Sequence, residues 1–74
     1  MSGNRLDDAI QLFRLNVQRF PASPNGYDSL GEALMMKGDL VAAETCYQRL
    51  LVLDPRNANA RAMLVRIRGA RPYQ

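Results

Sequence analysis

The 74-residue sequence predicts an all-α fold of about four helices arranged as antiparallel hairpins. Three observations predict it. The chain echoes itself at an offset of 34 residues: Leu6 falls on Leu40, Ala9 on Ala43, Phe13 on Tyr47, Val17 on Leu51, Pro21 on Pro55, Asn25 on Asn59 and Leu30 on Leu64. That offset is the length of one helix–turn–helix repeat. Apolar residues recur at spacings of three and four, as on a helix with one buried face. Proline and glycine interrupt these runs, and no period-two stretch is long enough for a strand.

The first helix is expected from about Asn4 to Arg19, with Leu6, Ala9, Ile10, Phe13 and Val17 turned inward. Asp7 and Asp8 suit the positive end of its dipole. Phe20-Pro21 ends it, because a residue before proline avoids the helical region. Ser23 is the expected N-cap of the second helix, with Pro24 at its first position. That helix runs to Lys37, where Gly38 supplies a left-handed stop. Asp39 caps a third helix, from Leu40 to about Leu53, which turns Leu40, Ala43, Tyr47, Leu50 and Leu51 inward. Asp54-Pro55 closes it. Asn57 caps a fourth, from Ala58 to about Arg68, expected to stop near Gly69 and Pro72. The short Gly38-Asp39 connection forces antiparallel neighbours.

A chain of this length makes one small domain with a marginal core. Cys46 is the single cysteine and there is no histidine, which excludes an internal disulfide and a zinc site. No catalytic residue is assigned: the sequence lacks a histidine base, Cys46 is expected to be semi-buried and inert beside Tyr47, and Asp7-Asp8 and Asp28 with Glu32 read as helix-end and surface charge. No cofactor is expected. The apolar runs are too short to span a membrane. Met1-Ser2-Gly3-Asn4 has no charged-then-apolar leader, so a cytoplasmic protein is the expectation. The net charge of +3 is uneven: Arg56, Arg61, Arg66, Arg68 and Arg71 occupy the last 19 residues with no acid among them. That segment raises weak nucleic-acid binding as an alternative. It lacks aromatic interleaving before Tyr73, and a few arginines give only salt-sensitive, non-specific attraction.

One stretch carries a specific pattern: Tyr27-x2-Leu30-Gly31-x2-Leu34, then Ala43-x3-Tyr47, then Pro55. It resembles the tetratricopeptide (TPR) repeat, departing only at Leu34, where the family favours an aromatic. Gly31 and Ala43 have almost no side chain, so two helices can cross closely there, and Tyr27, Leu30, Leu34 and Tyr47 fill the surrounding space. On this resemblance residues 24–57 form one complete repeat, 4–23 the second helix of a preceding one, and 58–69 the first helix of a following one, with 70–74 as a tail. Val65 stands where the complete repeat has Gly31, so 58–69 is expected to be a terminal cap.

The resemblance also implies a function: a non-catalytic scaffold that holds a protein or peptide partner. TPR proteins line a concave face with the first helix of each repeat. By position that groove holds Asn25, Asp28, Ser29, Glu32 and Met36, then Asn59, Ala62, Met63 and Arg66. Some TPR domains build a clamp of basic and amide groups there for an acidic peptide C-terminus. Asp28 and Glu32 occupy those positions here and would repel a carboxylate, so the expected ligand is neutral or basic. Leu12, Leu15 and Phe20 lie off the inward stripe of the first helix and are expected to drive self-association into a dimer. Finally, Phe20-Pro21-Ala22-Ser23 followed by Tyr27-Asp28-Ser29-Leu30-Gly31-Glu32-Ala33 is similar to short TPR tails behind some bacterial serine hydrolases and esterases. That similarity implies an appendage used for docking or oligomerisation.

Overall fold

A computed structural model describes residues 5–70. The expected helix start at Asn4 and the tail residues 71–74 lie outside them. Helix α1 spans Arg5–Arg19, α2 Pro24–Lys37, α3 Leu40–Leu53 and α4 Ala58–Ala70. Each helix packs on the next in chain order, most extensively α2 on α3. The stack is a slab of 37 × 31 × 15 Å.

The turns follow from named residues. Gly38 sits at φ 89°, the left-handed region that strains L side chains. Its N–H donates to the Met35 carbonyl at 3.1 Å, and the Asp39 N–H donates to the Leu34 carbonyl at 2.9 Å. These two bonds close the last turn of α2 and reverse the chain at once. The Asp39 carboxylate then accepts from the Ala42 N–H at 3.3 Å. Asn57 does the same for α4, its side-chain oxygen accepting from the Ala60 N–H at 2.9 Å.

The structure adds detail at two helix ends. Ser23 occupies the N-cap position of α2 with extended backbone, but its side chain makes no capping hydrogen bond. Pro24 has already removed one of the unpaired donors and preset its own φ, so less is left for a cap to do. Helix α4 does not stop at Arg68 but runs through Gly69 to Ala70. Gly69 is exposed and, unlike Gly38, has no positive φ. A glycine ends a helix only when the chain takes the left-handed turn, and Gly69 does not take it. The caps are therefore expected to differ on substitution. Asp39→Ala and Asn57→Ala should each lower stability by about 0.5–2 kcal/mol, and Ser23→Ala by less than about 0.5 kcal/mol, as read by urea denaturation.

The core runs through all four helices: Ile10 from α1, Leu30, Ala33 and Leu34 from α2, Ala43, Cys46, Tyr47 and Leu50 from α3, and Ala60, Leu64 and Ile67 from α4. Leu6, Phe13, Val17, Tyr27, Leu40 and Leu51 pack against it while staying partly exposed. The expected inward stripes are the observed ones. Gly31 marks the tightest crossing, since a Cβ there would lie 2.8 Å from Cζ of Tyr47. Gly26 marks a second, where α2 meets Val17 of α1 with a would-be contact of 3.0 Å. Lys37 and Asp7 form an ion pair at 2.6 Å between the end of α2 and the start of α1. Both are about half exposed, so the pair contributes little.

Candidate functional site

The stripe of α2 expected to line a groove carries Asn25, Asp28, Ser29, Glu32 and Met36; that of α4 carries Asn59, Ala62, Met63 and Arg66. The structure links the two stripes at Asp28 and Asn59. Asn59 Nδ2 donates to Asp28 Oδ1 at 3.0 Å, linking α4 to α2 across the intervening helix. Beneath them lies Tyr47, 1% exposed, with its ring against Gly31. Its phenol is pushed up to about 12, first by burial and then by the carboxylates of Asp28 and Glu32 and by Cys46, with Arg66 pulling the other way. Asp28, Glu32 and Arg66 thus all lie within electrostatic reach of the Tyr47 phenol. Arg66 also points an Nη1 donor at Sδ of Met63, at 4.0 Å. The outer positions are looser. Asn25 is exposed at the start of α2, Ser29 is half-buried, and Met36 stands 72% exposed near its end.

This surface has one chemical bias. Asp28 and Glu32 place two carboxylates one turn apart on α2, and Asp28 is held by the Asn59 amide of α4. Such a surface accepts hydrogen bonds from amide and ammonium donors and disfavours an incoming carboxylate.

The arginines of α4 are partly committed elsewhere. Arg61 Nη2 donates to the Pro55 carbonyl at 2.7 Å, fastening α4 to the preceding turn. Arg68 Nε lies 3.7 Å from Glu44 Oε2 on α3. Arg61 and Arg68 are thus both engaged with the chain itself.

A concavity of about 350 Å³ elsewhere on the molecule was not foreseen. It lies where α1 and α3 diverge over α2, lined by Arg14, Val17 and Gln18, by Leu30 and Leu34, and by Ala42, Thr45 and Cys46. The signal in the sequence is the short side chains of Ala42 and Thr45, which leave the space unfilled. Cys46 is buried there and its thiol is raised, chiefly by desolvation, with Arg14 lowering and Asp39 raising it further. The thiol stays protonated and is a poor nucleophile. Leu12, Leu15 and Phe20 are 66%, 55% and 59% exposed along and just beyond α1. Among the described residues no cluster of potential metal ligands occurs, and no helix is long and apolar enough to cross a membrane.

Antiparallel helices stacked in chain order, crossing over a glycine and an aromatic ring and joined by tight turns, define a helical-repeat protein. Residues 24–57, a little under half of the chain, match the tetratricopeptide repeat model. Repeats of this family serve protein–protein interaction and scaffolding. Over 60 residues, 81% of its length, the chain is 43% identical to cellulose synthase operon protein C of Xanthomonas axonopodis pv. citri (strain 306), of which it spans 4%. No solved structure matches it.

Proposed function

We propose that the chain is a non-catalytic scaffold unit that holds a neutral or basic segment of a protein partner across the face shared by α2 and α4. The observation that carries this is the pair of carboxylates Asp28 and Glu32, one turn apart on α2, with Asn59 of α4 bonded to Asp28 at 3.0 Å. A ligand offering amide or ammonium donors satisfies those carboxylates, whereas an acidic C-terminus meets like charge. Met63 beside Arg66 adds an adaptable apolar contact. Similarity to a short segment of a much longer protein supports work as one unit of a larger scaffold. The ties of Arg61 and Arg68 to the chain itself favour a protein partner over nucleic acid.

The test is a titration of two unstructured peptides, one lysine-containing and one with an acidic C-terminus, against the chain and its Asp28→Asn/Glu32→Gln double variant. The net charge of +3 opposes non-specific capture of the basic peptide, so its binding reports the local carboxylates. The basic peptide is expected to bind more tightly, and the double variant to lose on the order of tenfold, as for one or two charge-assisted contacts. Tighter binding of the acidic peptide would overturn the proposal.

A further inference from the structure

Arg14 of α1 is the one charged residue lining the concavity between α1 and α3. Among the described residues it has neither an ion-pair nor a hydrogen-bond partner. The floor beside it is apolar: Leu30, Leu34 and Cys46 are buried, and Val17 and Ala42 are half-buried. Arg14 holds its charge close to that floor, since it lowers the Cys46 thiol more than Asp39 raises it. The nearby carboxylates are already engaged. Asp39 accepts from the Ala42 N–H at 3.3 Å, and Asp7, on an adjoining hollow that Arg14 also lines, is paired with Lys37. The Thr45 hydroxyl donates to the Val41 carbonyl at 3.3 Å, so the donors left at the rim are the Arg14 guanidinium and the Gln18 amide. The repeat pattern asks for neither: at the 34-residue offset Arg14 falls on Gln48 and Gln18 on Val52.

We propose that this concavity binds a short aliphatic carboxylate, with its tail on the Leu30–Leu34–Cys46 floor and its carboxylate on the Arg14 guanidinium beside the Gln18 amide. The occupant follows from the lining. A floor of carbon and sulfur favours an apolar body. An unpaired guanidinium is matched by a planar carboxylate, which accepts two parallel N–H bonds from it. A lysine side chain would instead bring like charge against Arg14, so the basic ligands proposed for the α2/α4 face are turned away here. A volume of about 350 Å³ lies at the small end of the range for ligand pockets, which suits a small molecule rather than a protein segment. The site uses none of the residues of the α2/α4 face and does not depend on that reading.

The probe is hexanoate, titrated into the isotopically labelled full chain at physiological salt and followed by amide chemical shifts. Two controls divide it: hexanol keeps the tail without the charge, and acetate keeps the charge without the tail. Hexanoate is expected to give saturable shifts at Val17 and Gln18 of α1 and at Ala42, Thr45 and Cys46 of α3, with the α2/α4 face silent. Hexanol should bind about tenfold more weakly, as for the loss of one charge-assisted contact, and acetate should not saturate. Arg14 is exposed, so Arg14→Gln should fold like the parent. It should bind hexanoate about tenfold more weakly and hexanol as before. Hexanoate without saturation, or with its shifts elsewhere on the molecule, would overturn the proposal. So would hexanol binding as tightly as hexanoate, saturable shifts with acetate, or an Arg14→Gln variant that binds hexanoate like the parent or loses hexanol equally.

Discussion

Replacing Gly31 with leucine is expected to unfold the chain. A Cβ alone at this position would sit 2.8 Å from Cζ and 2.9 Å from Cε2 of Tyr47. The ring cannot retreat, because it is 1% exposed and is held among Leu34, Ala43 and Leu50 in a continuous core. Overpacking of this kind costs about 1–3 kcal/mol for added methylenes, and a leucine adds several carbons beyond the Cβ. Against the stability of a small domain, about 5 kcal/mol at the low end of the usual range, that leaves little or no folded protein. Gly31→Ala is the graded version: it should fold and lose on the order of 1–3 kcal/mol. Truncating the ring should relieve it, so the loss from Gly31→Ala in a Tyr47→Leu background should be smaller than in the parent, with a coupling of about 0.5–3 kcal/mol. Helical content by circular dichroism and urea midpoints measure all of these. A Gly31→Leu chain that melts like the parent would mean that α2 and α3 do not cross there.

Leu50→Ala is expected to cost about 2–5 kcal/mol, the range for a fully enclosed leucine cut back to a methyl. Leu50 is 0% exposed on α3, in the same core cluster as Ala60, Leu64 and Ile67 of α4. Its loss leaves a cavity in the core that also anchors α4, and the fourth helix should fray before the rest melts. Val52→Ala, two residues on and 73% exposed, provides the contrast and should change stability by less than about 0.5 kcal/mol. Similar losses from the two substitutions would contradict the burial pattern.

Most of the fold was legible because it rests on residues with few alternatives. Gly38 must take a left-handed turn, Asp39 and Asn57 have short oxygens placed to cap, and Gly31 opposite Tyr47 permits a crossing that no larger residue would. The helix ends were less legible where the sequence offers a capable residue that the fold leaves unused. Ser23 can cap but Pro24 has removed much of the need, and Gly69 can stop a helix but stays within one. The site was legible only in part. Helical spacing put Asp28 and Glu32 on one stripe, and Asn59 and Arg66 on another. The contact of Asp28 with Asn59 depends on how α2 and α4 lie beside each other across α3, which no local spacing encodes. The cavity between α1 and α3 depends on the divergence of two helices that are distant in the chain.

The central claim is that the α2/α4 face takes the partner. The most direct measurement is an amide chemical-shift map of the isotopically labelled chain during titration with the lysine-containing peptide. The largest shifts are predicted at Asp28, Ser29 and Glu32 on α2 and at Asn59, Met63 and Arg66 on α4, with α1 nearly silent. Shifts concentrated instead on Arg14, Val17 and Gln18 of α1 and on Ala42 and Thr45 of α3 would place binding in the opposite concavity and contradict the account.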